Sequence, residues 1–242
     1  PSRAGLLTGR LPIRSGMCSD KRRVLFPDSD GGLPQTENTI ARLLKAAGYR
    51  TAAIGKWHLG HLPQYLPTSH GFDSYFGIPY SNDMDRIDSE GRTPREAVMN
   101  ARKEYFNVPL MRNEEIVERP ADQNTITRRY TEEAVKFISG NRKKPFFLYL
   151  ALTSPHANNE AGKLGMEVPD LGIYADKPWP TPAKAHAAMI SRMDSDIGRL
   201  MARLAEKGIA DQTLVLFTSD NGPHREGGND PESNDSNGPL RG

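Results

Sequence analysis

A single cysteine, Cys18, stands among 242 residues, which excludes an internal disulfide framework and leaves the redox compartment undetermined. Without a Pro-Ser-Arg after it, Cys18 is read as a small buried or bystander residue rather than a nucleophile. Apolar runs are short, and none approaches the roughly 20 residues that a bilayer-spanning helix needs, so no membrane association is expected. Net charge is also scarce. Lys and Arg total 32 against 30 Asp and Glu, and the formal balance of +2 provides no global field of the kind that marks nucleic-acid binders. There is no internal repeat of solenoid length. No charged-then-apolar leader precedes the first motif, so a secretory signal, if the protein has one, is expected upstream of Pro1.

What is present suits a soluble protein. Hydrophobic residues make up 36% and the mean hydropathy is −0.63. The length permits one or two domains, and residues 1–242 are read as one incomplete domain. Ile40, Leu43, Leu44 and Ala47 recur at helical spacing within 36–48, with Thr36 or Asn38 as cap and Gly48 as stop. Residues 49–54 then read as a short strand that delivers Gly55, Lys56 and His58 to the loop at its carboxyl end. The stretch 59–120 is rich in Gly, Pro, Asn and charge, and predicts long loops and short elements.

Ile126, Tyr130, Ala134, Phe137 and Ile138 form the stripe of an amphipathic helix that starts after Asp122 and stops at Gly140-Asn141. The run 145–153 follows as a strand buried on both faces, with His156 just beyond it. A Pro- and Gly-rich connection over 158–182 leads to a long helix with the face Met189, Met193, Ile197, Leu200 and Leu204, ending near Gly208. Residues 213–218 read as a second buried strand with Asp220 and Asn221 at its exit, and 222–242 as a loop or disordered end. Helices alternating with strands predict an α/β layer architecture with a largely parallel sheet. Every polar motif residue falls just past a strand end, where such sheets bind ligands.

Three segments arrive in a telling order: Pro1-Ser2-Arg3-Ala4-Gly5-Leu6-Leu7-Thr8-Gly9-Arg10, then Gly55-Lys56-Trp57-His58-Leu59-Gly60-His61, then Ser219-Asp220-Asn221-Gly222. Together they resemble the formylglycine-dependent sulfatases, of the arylsulfatase A and N-acetylgalactosamine-6-sulfatase type, with a bacterial source expected. Looser likenesses lie at Gly77–Asp83, at Ser154-Pro155-His156, and at Leu240-Arg241-Gly242, which resembles the start of an LRGxK element. The resemblance implies an alkaline-phosphatase-like sandwich and hydrolysis of sulfate esters. It implies a formylglycine, made from a Cys or Ser two positions before Pro1, and a divalent metal, Ca²⁺ or Mg²⁺.

By the same resemblance Arg3 supports the formylglycine hydroxyls. Lys56 contacts the sulfate, and His58 helps remove a proton from the second hydroxyl. His156 binds the sulfate and protonates the leaving oxygen, Ser81 contacts the sulfate, and Asp220 and Asn221 ligate the metal. The chemistry of these residue types agrees. Arg is a fixed charge with several donors, His carries either proton state near neutrality, and Asp and Asn offer the hard oxygens that Ca²⁺ or Mg²⁺ prefer. Lys56 and His58, two apart in an extended segment, would leave one face of the backbone.

Expected partners are a sulfated carbohydrate or aryl sulfate and a formylglycine-generating or sulfatase-maturating enzyme, with no nucleic acid and no membrane. The expected location is periplasmic or secreted. A phosphonate or phosphate ester hydrolase of the same superfamily, and a non-catalytic protein that binds sulfated glycans, are the alternative functions. The polar clusters at 156–160 and at His224-Arg225-Glu226 could meet sugar hydroxyls or simply be solvated loops. Asp194 and Asp196 diverge around their helix and are read as structural, and Trp57 and Trp179 as packing residues.

Overall fold

The computed structural model describes residues 1–21, 23–86, 106–223, 225–233 and 235–240. Two short helices, α1 (Ser2–Thr8) and α2 (Ile40–Ala46), precede strand β1 (Arg50–Gly55) and strand β2 (Ser74–Gly77). A hairpin of β3 (Leu110–Arg112) and β4 (Glu115–Glu118) leads into helix α3 (Gln123–Asn141). Strand β5 (Phe146–Ala151) and the long helix α4 (Thr181–Glu206) follow.

Among the described residues the strands form one sheet in the order β4-β3-β2-β1-β5. Strand β1 pairs in parallel with β5, from Arg50↔Phe146 to Gly55↔Ala151, and in parallel with β2, from Ala52↔Ser74 to Ile54↔Phe76. The hairpin adds two antiparallel strands beyond β2. The alternation of side chains along a strand then splits the apolar residues between two faces. Ile54, Phe76, Leu148 and Leu150 pack beneath Ile126, Tyr130, Ala134 and Ile138 of α3 and Leu200 and Leu204 of α4. Ala53, Tyr75, Phe147 and Tyr149 meet Ala4 and Leu7 of α1, Ala41 of α2, and Trp57 and Phe72. The result is a helix–sheet–helix sandwich, the α/β class expected. Each large apolar side chain fully withdrawn from water adds about 1.5–3 kcal/mol to its stability.

Helix α3 forms where the stripe places it, with Asp122 as N-cap accepting from the Asn124 N–H. Helix α2 departs from expectation. Its cap is Thr39, whose hydroxyl accepts from the Arg42 N–H, rather than Thr36 or Asn38. Ile40 and Leu43 are 41% and 61% exposed while Ala41 is buried, because α1 and the sheet approach the small residue. The Gly- and Pro-rich stretch holds 3₁₀ turns at Pro63–Tyr65 and Pro67–His70 and the short strands β2 to β4; its residues 87–105 lie outside those described. Helix α4 carries the predicted face, with Met189, Leu200 and Leu204 buried.

Two strand expectations are corrected. Residues 145–153 do contain β5, but it is half-buried rather than covered on both faces, because it is the edge of the sheet among the described residues. Residues 213–218 form no strand. Leu214, Leu216 and Phe217 are 84%, 80% and 76% exposed, and the run pairs with none of the described strands, so its apolar composition alone does not make it a strand. No helix of the described residues is long and apolar enough to cross a membrane.

The carboxyl ends of β1, β2 and β5 come together at two glycines. A Cβ on Gly55, which has φ 111°, would lie 2.0 Å from the Ala151 carbonyl oxygen. One on Gly77 would lie 1.8 Å from the Gly55 oxygen. Both neighbours are backbone and cannot yield. Gly55→Ala should therefore destabilise the fold by at least about 3 kcal/mol, combining overpacking with a positive φ that alanine disfavours. Urea denaturation monitored by circular dichroism measures this, and a midpoint equal to the parent's would refute the close approach.

Candidate active site

The segment that leaves β1 is fastened residue by residue to its neighbours. The Lys56 N–H donates to the Ala151 carbonyl at the end of β5, the Trp57 N–H to Ile78, and the His58 N–H to Pro79 just past β2. Trp57 is buried, its indole N–H on the Tyr65 carbonyl and its ring edge-on to Phe72, so it packs rather than faces a ligand. Trp179 stacks on Tyr174 and is exposed.

Arg3 ties three distant segments together. From the first turn of α1 its Nη1 donates to the Lys56 carbonyl at 2.7 Å, and its Nη2 pairs with Asp220 Oδ2 at 3.0 Å. Lys56 is buried, and its Nζ donates to Ser81 Oγ at 2.9 Å; Ser81 and Asn82 are buried beside it. Arg3, Lys56, Ser81 and Asp220 thus form a continuous chain of contacts across four motifs.

His58 reaches the same place by a route other than the one expected. Its φ is 59°, a left-handed conformation, so the segment is not extended there and the same-face argument from spacing fails. The ring turns toward the Leu25 carbonyl, which accepts from Nε2 at 2.9 Å. A carbonyl can only accept, so Nε2 carries the proton and Nδ1 of the neutral ring is a proton acceptor. His156 follows β5; its backbone N–H donates to the Thr153 carbonyl, and its Nδ1–H to the Ala157 carbonyl at 2.6 Å. It lies at the same edge of the sheet as Lys56, because Ala151 and Gly55 are in register.

The charges shape one another. Burial, and then the Arg3 guanidinium, pull Lys56 down to about 8, against the opposing pull of Asp83 and Asp220, so it remains a cation at neutral pH. Burial and the Lys56 charge press His58 down to about 3, which keeps its ring neutral. Burial pushes the Asp220 carboxyl up, but Arg3 and Lys56 outweigh it, and the group stays ionised below its ordinary range.

The metal expectation has partial support in the donor set. Asp220 and Asn221 supply hard oxygens, which suit Ca²⁺ or Mg²⁺ in kind but make only two of the roughly six to eight ligands Ca²⁺ takes. Asn221 is exposed, with its Nδ2 donating to the Gly222 carbonyl at 2.8 Å, and one Asp220 oxygen is engaged by Arg3. No group of three or more His, Cys, Asp or Glu that could hold a metal occurs among the described residues. Of the polar clusters noted in the sequence, Glu160 pairs with Arg86 at 3.8 Å and Arg225 with Glu232, while His224 and Arg241-Gly242 lie outside the described residues. Asp196 is buried and bonded to Arg199, a helix-surface pair.

The sulfatase family model matches residues 1–242. The chain belongs to the sulfatase family. This sulfatase chain is 38% identical over 237 residues to arylsulfatase G of Rattus norvegicus, covering 92% of itself and 42% of that protein. It is 37% identical over 254 residues to N-acetylgalactosamine-6-sulfatase of Homo sapiens, covering 99% and 43%. Among solved structures it is similar to Ps i-CgsB in complex with k-i-k-neocarrahexaose, with a TM-score of 0.69, 32% identity, and coverage of 95% and 49%. It is likewise similar to the PsFucS1 sulfatase from Pseudoalteromonas sp., with a TM-score of 0.66, 30% identity, and coverage of 91% and 44%. The chain thus spans less than half the length of these relatives. The alkaline-phosphatase-like sandwich expected from its motifs is the fold of this family.

Sequence reasoning assigned no role to Asp83, although it lies within a quoted motif and its charge acts on Lys56. A carboxylate two residues after the serine was the available signal.

His58, and also His70, a fully buried ring tilted against Trp57 that burial presses down to about 4, bind protons less readily folded than unfolded. The unfolded chain therefore takes up protons first as pH falls below the ordinary histidine value of about 6.5. Stability should be fully present above that value and decline as pH drops from about 6.5 towards 4. Urea midpoints that hold constant across this window would contradict the burial of both rings.

Proposed function

We propose that the protein hydrolyses sulfate esters on a sulfated carbohydrate or aryl group, and that residues 1–242 form part of its catalytic domain. Family membership supports the reaction class, and the contact chain Arg3–Lys56–Ser81–Asp220 is the observation that carries it. The names of the relatives, among them N-acetylgalactosamine-6-sulfatase and a carrahexaose complex, support a sulfated glycan. A formylglycine two residues ahead of Pro1 would supply the nucleophilic oxygen, and a divalent cation held in part by Asp220 and Asn221 would screen charge.

The residues of this chain do the remaining work. Lys56 Nζ and Ser81 Oγ bind the sulfuryl oxygens, where a buried cation acts with little screening by solvent. Arg3 holds the Lys56 backbone and the Asp220 carboxylate in register and orients the nucleophile. His58 accepts a proton at Nδ1, the atom its bond to Leu25 leaves unprotonated. His156, oriented by the Ala157 carbonyl and protonated at both nitrogens when it acts, gives the proton on Nε2 to the departing oxygen and returns to the neutral ring. The protein would meet a formylglycine-generating or sulfatase-maturating enzyme, and its substrate, in the periplasm or outside the cell.

In the full-length protein, Lys56→Ala should lower kcat/KM for 4-nitrophenyl sulfate by about 10²–10³, the usual effect of removing one charge-stabilising donor. Preferential turnover of 4-nitrophenyl phosphate over the sulfate would move the assignment to a phosphate or phosphonate ester hydrolase. His156→Ala should cost about tenfold more on an unactivated sugar sulfate than on 4-nitrophenyl sulfate, whose leaving group needs no protonation. Equal losses on the two substrates would remove its role as an acid.

A further inference from the structure

The Lys56 ammonium is buried next to a second cation, Arg3, and an arrangement of that kind needs counter-charge close by. Two carboxylates act on Lys56, those of Asp83 and Asp220. Asp220 is already committed to Arg3 at 3.0 Å. The nearby Asp85 is likewise taken, by Arg119 and by the Tyr80 hydroxyl. Among the described residues, Asp83 is the acid left to Lys56.

Its placement is set by a turn. The Met84 N–H donates to the Ser81 carbonyl at 3.1 Å, closing residues 81–84 and holding Asp83 two positions past the serine that accepts from Lys56 Nζ. Ser81 and Asn82 are buried, so the turn is packed rather than solvated. Asp83 is half-buried, and its Oδ1 is screened from solvent with no hydrogen-bond donor on it. An ammonium carries three N–H groups, and Ser81 takes one. A carboxylate oxygen lacking a donor thus stands in the neighbourhood of a buried lysine with donors to spare, on a stem of four flexible carbons.

We propose that Asp83 is a positioning residue that holds the Lys56 ammonium at the sulfate site together with Ser81. The role rests on the assignment of Lys56 as a sulfate contact. Ser81 alone fixes one direction of the ammonium. A second, charged partner limits its swing and balances the Arg3 repulsion before an anion arrives. Asp83 acts on the ammonium through its charge, the N–H groups beyond the one on Ser81 meet the sulfuryl oxygen, and the lysine does not need to reorganise when the substrate binds.

A double-mutant cycle in the full-length enzyme tests this, with kcat and KM measured for 4-nitrophenyl sulfate and folding checked by thermal melts. Asp83→Asn should lower kcat/KM by about 10- to 100-fold in the parent and by less than about twofold in the Lys56→Ala background, since groups acting as a unit are non-additive. Asp83→Glu should recover part of the loss. Asp83→Ser passes through the same cycle, so a single variant that misfolds does not decide the outcome. A loss of the same factor in both backgrounds, or no loss in either, would overturn the positioning role and leave the proposed reaction standing. An unchanged kcat/KM in Lys56→Ala alone would remove the sulfate contact itself and the role of Asp83 with it.

Discussion

The site depends on three parallel strands ending in nearly the same place, a convergence that only glycine permits. Gly55 and Gly77 let backbone touch backbone where β1, β5 and β2 finish, and side chains there would drive the strands apart. Because the strands stop together, the residues that follow each of them become neighbours. Lys56 follows β1, the Ser81 turn follows β2, and His156 follows β5. Helix α1, packed on the sheet through Ala4 and Leu7, then brings Arg3 over the same edge. Residues separated by more than fifty positions meet through no affinity of their own, because the sheet has already placed them.

Much of this was legible in the sequence, in proportion to how local the signal was. Helix α3 announces itself through a capping aspartate, a stripe of five apolar residues and a terminal glycine, all within twenty positions. Strand β5 is a plain apolar run. What could not be read was pairing. Strands β2, β3 and β4 have three or four residues each and alternate too briefly to stand out from the glycine, proline and charge around them. Residues 213–218 fail in the opposite sense: their composition is that of a buried strand, but burial is set by what a segment pairs and packs with, and this run pairs with none of the described strands. In α2 the helical period was right, yet a small residue rather than the larger apolar ones turned inward, because close approach to α1 and the sheet favours alanine.

The site divides similarly. Arg3, Lys56, Ser81 and Asp220 were named from motifs and are joined by direct contacts, though the route taken by His58 was not foreseen, because a left-handed dihedral leaves no mark in a list of residue types. Asp83 stayed hidden for a related reason. Ser-Asn-Asp is also an ordinary turn, and only the burial of its serine and asparagine separates a site wall from a solvated loop. The electrostatics are equally non-local. Arg3 is the largest charge influence on both Lys56 and Asp220, from a helix at the other end of the sequence.

The left-handed backbone at His58 has a consequence for stability. Glycine or asparagine would occupy that dihedral more comfortably, and a histidine held there forgoes about 1–3 kcal/mol that either could restore. A screen for thermostability alone would favour losing the ring. The proton acceptor of the proposed reaction thus sits where the backbone alone would favour another residue, and engineering for robustness should leave position 58 untouched.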